Sequence, residues 1–210
     1  MDRQMNHKGI LIVVSGFSGA GKGTLMKRLV EKYDGYALSI SATTRAPRPG
    51  EEDGREYFFL SREQFEQKIA DSALIEYAEY CGNYYGTPKD YVENHLAAGH
   101  DVILEIEIQG ALKIRKQYPT ALLVFVSAPN AKELRRRLSG RGTETAEVID
   151  RRLHRAAQEA EGIEEYDYIV VNDDLEKCVK ELHEIIDAAH HAPGRNEEFI
   201  EKMRRELIED

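Results

Sequence analysis

The run Gly16-Phe17-Ser18-Gly19-Ala20-Gly21-Lys22-Gly23-Thr24 constrains this chain more than any other segment. It follows the apolar run Ile10–Val14 and precedes Leu25, Met26, Leu29 and Val30, whose spacing gives a helix one apolar stripe. Strand, glycine-rich turn and helix in that order form the setting in which a phosphate-binding loop, or P-loop, works. The glycines let the backbone wrap a polyphosphate with N–H groups turned inward, where a Cβ would clash. The helix N-terminus adds unpaired donors and the positive end of its dipole, and Lys22 adds a point charge for the β- and γ-phosphates. Gly23 stands where the pattern G-x-x-x-x-G-K-S/T has a hydroxyl, and Thr24 comes one residue later, which leaves open the hydroxyl that reaches Mg²⁺. A dinucleotide-binding turn fits less well. Thr24 takes the place of its third glycine, and the next strand ends in Ser39-Ile40-Ser41 with no acid to hold a ribose. The expected ligand is a nucleoside triphosphate, ATP first, held by Gly16, Ser18, Gly19, Ala20, Gly21, Lys22, Gly23 and Thr24.

Val102–Ile108, Ala121–Val126 and Tyr168–Val171 repeat the Val/Ile/Leu texture of the first run with helical stretches between them, as strands of a buried parallel sheet do. The expected fold is therefore α/β, a P-loop core whose parallel sheet is flanked by helices, and 210 residues can bury such a core without disulfides or metal. Between Tyr36 and Pro88 the texture changes: Pro47, Pro49 and Gly50 break a loop, Glu56–Leu60 and Leu74–Tyr80 read as short strands, and Ser61 with Gln64 forms a capping box. The resulting organisation is core over 1–35, an inserted subdomain and return over 36–98, core over 99–131, a basic insertion over 132–160, core over 161–189 and a helical tail over 190–210. In that tail Phe199, Ile200, Met203 and Leu207 share a stripe.

The net charge of −9 argues against tracking nucleic acid or an anionic membrane, so anionic ligands must meet local basic clusters. Cys81 and Cys178 form no CxxC, which suits a reducing compartment, and no signal peptide or membrane span is expected, making the cytoplasm the default. His190-His191 reads as a surface pair. In Val102–Gly110 the acids Glu105 and Glu107 alternate, which puts both carboxylates on one sheet face near the strand's C-terminal end, where open α/β sheets bind ligands.

Ser41-Ala42-Thr43-Thr44-Arg45-Ala46-Pro47-Arg48-Pro49-Gly50-Glu51, followed by Tyr57, Glu76 and Asn83-Tyr84-Tyr85-Gly86-Thr87, resembles the guanylate kinase family, and the likeness spans residues 8 to 189. It implies that the γ-phosphoryl of ATP moves to GMP, with Mg²⁺ as cofactor, that the first insertion binds GMP and that the second is a lid. It also implies ATP and GMP as partners, dGMP as a further acceptor candidate, and a monomer or weak homo-oligomer. Arg45 and Arg48 lie three apart on a proline-stiffened loop and can fork onto a monophosphate. Tyr57 and Tyr85 match the hydroxyls that complete this clamp. Guanine offers N1–H and N2 amino donors beside an O6 acceptor, and Glu76 is the matching carboxylate, with Ser41 and Thr87 the matching hydroxyls.

By the same resemblance Glu107 lies near guanine, while Glu105 and Thr24 approach Mg²⁺, mostly through water; the family usually has Asp at 105 and 107. Phe17 replaces the proline usual there, an exchange expected to loosen the cradle. Arg137–Glu144 with Arg152 matches the lid, and Asn172 with Arg141 matches the adenine side. The implied catalytic set is Lys22, Arg45, Arg137, Arg141 and Arg152, with no general base, because a GMP phosphate is already anionic and in-line positioning supplies most of the rate. Arg136, Arg151 and Arg155 read as a solvated face. Two other readings fit parts of the pattern. Peptide-binding scaffold domains share the family sequence without a working cradle, and Gly23-Thr24 also occurs in kinases of other monophosphates.

Overall fold

The computed structural model describes residues 8–80, 82–140 and 146–209. The apolar run after Gly9 has no polar face, and it forms the central strand of a five-stranded parallel sheet, β1 (Leu11–Gly16). The other four strands are β2 (Tyr36–Leu38), β7 (Asp101–Glu105), β8 (Leu122–Ser127) and β9 (Tyr168–Val171), in the spatial order β2-β7-β1-β8-β9. In register, Val14 lies beside Glu105 on one side and Val124 on the other, so the C-terminal ends of three strands meet below the glycine-rich loop.

Alternation along β1 divides the core. Ile10, Ile12 and Val14 point into a cluster with Leu25, Met26 and Leu29 of α1 (Lys22–Lys32) and with Val179, Leu182 and Ile186 of α7 (Leu175–His190). Leu11 and Val13 point the other way, against Val92 of α3 (Lys89–Ala97) and Ala111 and Ile114 of α4 (Ile108–Gln117).

A second sheet, in the order β4-β3-β6-β5, is built from β3 (Ala42–Thr43), β4 (Phe58–Phe59), β5 (Leu74–Tyr80) and β6 (Asn83–Pro88). Helix α2 (Arg62–Ala70) leads into it through the capping box of Ser61 and Gln64. Ile75 of β5 is buried in the α3/α4 cluster, which ties the second sheet to the first. Two further helices, α5 (Ala131–Ser139) and α6 (Ala146–Ala160), pack through Leu134, Leu138, Ile149 and Ala156. Arg141, Gly142, Thr143 and Glu144, expected in the lid, lie outside the described residues, as does Cys81. Helix α8 (Glu197–Glu209) closes the chain. Among the described residues no helix is long and apolar enough to cross a membrane.

Three expectations change. Tyr36–Leu38 pairs with β7 as an edge of the core sheet, so the second sheet's segment starts after Leu38 instead of at residue 36. The apolar run Val102–Ile108 is not one strand: β7 ends at Glu105, Ile106 turns, and Ile108 opens α4 with Glu107 at the N-cap position. Glu105 and Glu107 therefore do not share a sheet face. His190 is not a simple surface residue; its Nε2 lies 2.9 Å from an Asp101 carboxylate oxygen, and the other Asp101 oxygen accepts the Ile10 N–H at 2.7 Å. This pair clips the end of α7 to the start of the sheet.

Candidate functional site

The loop between β1 and α1 is shaped by backbone that a side chain would spoil. Gly16 lies so close to β8 that a Cβ would sit 2.0 Å from the Val126 carbonyl oxygen. Gly21 has φ +91°, and a Cβ there would come within 2.6 Å of the Asn172 side-chain nitrogen. Gly21 is also the N-cap of α1; no side chain caps that helix and no acid occupies its first turn, so its N-terminal donors remain oriented toward an anion. The Lys22 ammonium folds back on the loop and donates to the carbonyls of Gly16 (2.9 Å) and Phe17 (3.4 Å). The Phe17 ring meets Phe125 edge-on at 4.9 Å and packs beside all three apolar clusters. The expected loosening at this position is thus opposed by a contact that proline could not make.

Arg137 braces the loop from α5. Its guanidinium donates to Glu133 (2.7 Å), to the Ala20 carbonyl (3.3 Å) and to the Asn172 carbonyl (2.8 Å). The buried Asn172 side chain also donates to Ala20 (2.9 Å), so the residue expected at the adenine side is fastened to the cradle wall. Hydrogen bonds from Arg136 and Arg137 hold the Glu133 carboxyl down to about 2.

A cavity of about 370 Å³ opens in front of the loop. Gly16, Ser18 and Lys22 line one side, Glu105 and Glu107 the floor, and Arg152, Arg155 and Glu159 of α6 the far wall. Arg152 reaches the Ser18 hydroxyl at 3.4 Å. Glu105 is exposed at the end of β7, and its Oε2 is 3.8 Å from where a Cβ on Gly23 would lie. That puts an anionic oxygen donor beside the first turn of α1, the turn that also carries the exposed Thr24. Among the described residues no cluster of three metal-ligating side chains exists. Two hard oxygen donors without a full cage fit Mg²⁺ that arrives with a polyphosphate and keeps most of its water.

The second sheet holds the remaining candidates. Arg45, largely shielded, donates from one guanidinium nitrogen to both Glu51 oxygens at 2.9 and 3.0 Å, and its guanidinium lies 5.3 Å from the Tyr57 ring centroid. The Arg48 N–H donates to the same Glu51 carboxylate at 2.7 Å, which sets both arginines around one turn. Tyr57 and Tyr85 meet edge to face, ring centroids 6.1 Å apart. Glu76 sits at an irregularity where β5 pairs with β6 and accepts the Thr87 hydroxyl at 2.8 Å, with Thr87 fully buried. Burial raises the Glu76 carboxyl above its ordinary range despite that bond. Ser41 is half-buried at the entry to β3, its carbonyl taken by the Phe58 N–H.

Sequence reasoning overlooked Glu51 as the organiser of the arginine turn, although it stands in the quoted motif. It also read Arg155 only as part of a solvated face; Arg155 is exposed, and it lines the cavity and pairs with Glu107. The i, i+4 partner Glu159 was the available signal.

A family model described as guanylate kinase matches residues 8–189. The chain is 52% identical over 183 residues to the guanylate kinase of Desulfitobacterium hafniense, covering 87% of this chain and 91% of that one. It is 50% identical over 202 residues to the guanylate kinase of Halalkalibacterium halodurans, covering 96% and 97%. Among solved structures it is similar to the guanylate kinase of Anaplasma phagocytophilum, with TM-score 0.71, 32% identity and 90% of each chain covered.

Proposed function

The chain belongs to the guanylate kinase family, an enzyme class that phosphorylates GMP with ATP, and on that premise we propose which of its residues perform each part of the transfer. The observation that carries the proposal is one cavity that gathers Ser18 and Lys22 of the glycine-rich loop, Glu105 and Glu107 after β7, and Arg152 of α6 from three separate segments. Gly16–Thr24 and the N-terminus of α1 hold the ATP triphosphate, with Lys22 turning from the loop carbonyls to the phosphates. Adenine contacts are assigned to Asn172 and Arg141. Arg45 and Arg48, with the hydroxyls of Tyr57 and Tyr85, hold the GMP phosphate, while Glu76, Ser41, Thr87 and Glu107 read guanine.

A GMP phosphate oxygen then attacks the γ-phosphorus as its bond to the β-bridging oxygen breaks, giving GDP and ADP. Neither step needs a proton acceptor on the protein, because the nucleophile is an anion. Lys22, Arg137, Arg141 and Arg152 offset the charge that spreads over the transferred group. Mg²⁺, when bound with ATP, neutralises phosphate charge, and Thr24 and Glu105 are the residues that would hold it, mostly through water.

A coupled ADP-release assay with ATP and GMP tests the assignment. Saturable GMP-dependent turnover is expected, and no turnover at millimolar substrates would favour the peptide-binding scaffold reading.

A further inference from the structure

Glu107 occupies the N-cap position of α4, yet its carboxylate makes no cap and reaches across the cavity to the Arg155 guanidinium of α6. Arg155 is fixed from behind by Glu159, one turn further along the same helix, at 3.0 Å. One turn earlier, Arg152 lies on the same helix face and contacts Ser18 in the glycine-rich loop. Helix α6 thus touches the triphosphate side through Arg152 and the guanylate side through Arg155. An aspartate at 107 would fall one methylene short, and both side chains of the pair are more than half exposed.

On the reading of this cavity given above, we infer that Arg155 is a positioning residue for GMP recognition: it holds one oxygen of Glu107, leaving the other for guanylate, and joins the acceptor side to the lid helix. An exposed pair contributes little to folding, so its effect falls on the order it imposes on a side chain that otherwise samples several rotamers.

The test is a steady-state double-mutant cycle of Arg155→Ala and Glu107→Ala at low ionic strength. Arg155→Ala should raise KM for GMP about three- to tenfold, the scale of ordering one long side chain, with KM for ATP within about twofold. Thermal midpoint should stay unchanged, Arg155→Lys should restore part of the GMP affinity, and high salt should shrink the difference from wild type. In the Glu107→Ala background, where no carboxylate remains for Arg155 to hold, Arg155→Ala should change KM for GMP by less than about twofold. An equal rise in both Michaelis constants, or an undiminished Arg155→Ala effect in the Glu107→Ala background, would overturn the inference while leaving phosphotransfer intact. Absence of GMP turnover in the wild type would overturn the function reading itself.

Discussion

Glu76→Gln separates recognition from folding. The wild-type carboxyl is mostly buried, its pKa is raised chiefly by burial, and it accepts the Thr87 hydroxyl at 2.8 Å. A glutamine oxygen can accept the same hydroxyl, so no buried donor is orphaned. The sign of the stability effect follows from the raised pKa: the folded state favours the protonated carboxyl, and that contribution is lost as pH rises through the folded value. At neutral pH the neutral glutamine should leave the thermal midpoint equal to or above wild type. Guanine, in contrast, meets one acceptor and one N–H where it had two acceptors. Losing one charge-assisted hydrogen bond and facing an N–H against an N–H costs on the order of 3–4 kcal/mol, or roughly 10²–10³ in kcat/KM for GMP. ADP release at varied GMP and saturating ATP measures this, with KM for ATP expected within about twofold of wild type. In the wild type KM for GMP should rise as pH falls through the raised Glu76 value, above the ordinary carboxylate range, and the glutamine variant should lack that inflection. Equal losses for ATP and GMP, or GMP efficiency within about threefold of wild type, would refute the base-reading role.

Lys22→Ala should lower kcat by at least about 10² while moving the thermal midpoint little, as seen in parallel turnover and melting measurements, because its charge is needed mainly once phosphates arrive. Arg45→Ala removes the hydrogen bonds to Glu51 and one arm of the phosphate clamp, and calorimetry should show GMP affinity about ten- to a hundredfold weaker with ATP binding retained. Gly21→Ala places a Cβ at φ +91° against Asn172 and displaces the bond to Ala20. Roughly 2–3 kcal/mol of strain and lost hydrogen bonding should lower the thermal midpoint by about 5–10 °C and weaken ATP.

Leu74–Tyr80, Tyr168–Val171 and the Ser61–Gln64 capping box were legible in the sequence because apolar pattern and local hydrogen bonding coincide there. Val102–Ile108 was misread because a continuous apolar run does not distinguish the end of a buried strand from the first turn of a helix. Tyr36–Leu38 is three residues long, and only its pairing with β7 assigns it to the core sheet. The glycine cradle was readable since its backbone demands leave few residue choices. Charges escaped wherever their meaning depends on a distant partner: Arg155 looks like any exposed helical arginine until Glu107, 48 residues away, comes into reach, and His190 looks solvated until Asp101 does.

The account rests on a cleft that accepts guanine as its nucleobase and ATP as its phosphoryl donor. Initial rates with ATP and each of GMP, AMP, CMP and UMP test it most directly. A polar frame of Glu76, Thr87 and Ser41 predicts GMP favoured over the others by on the order of 10⁴ in kcat/KM. AMP or a pyrimidine nucleotide used within about tenfold of GMP would contradict it.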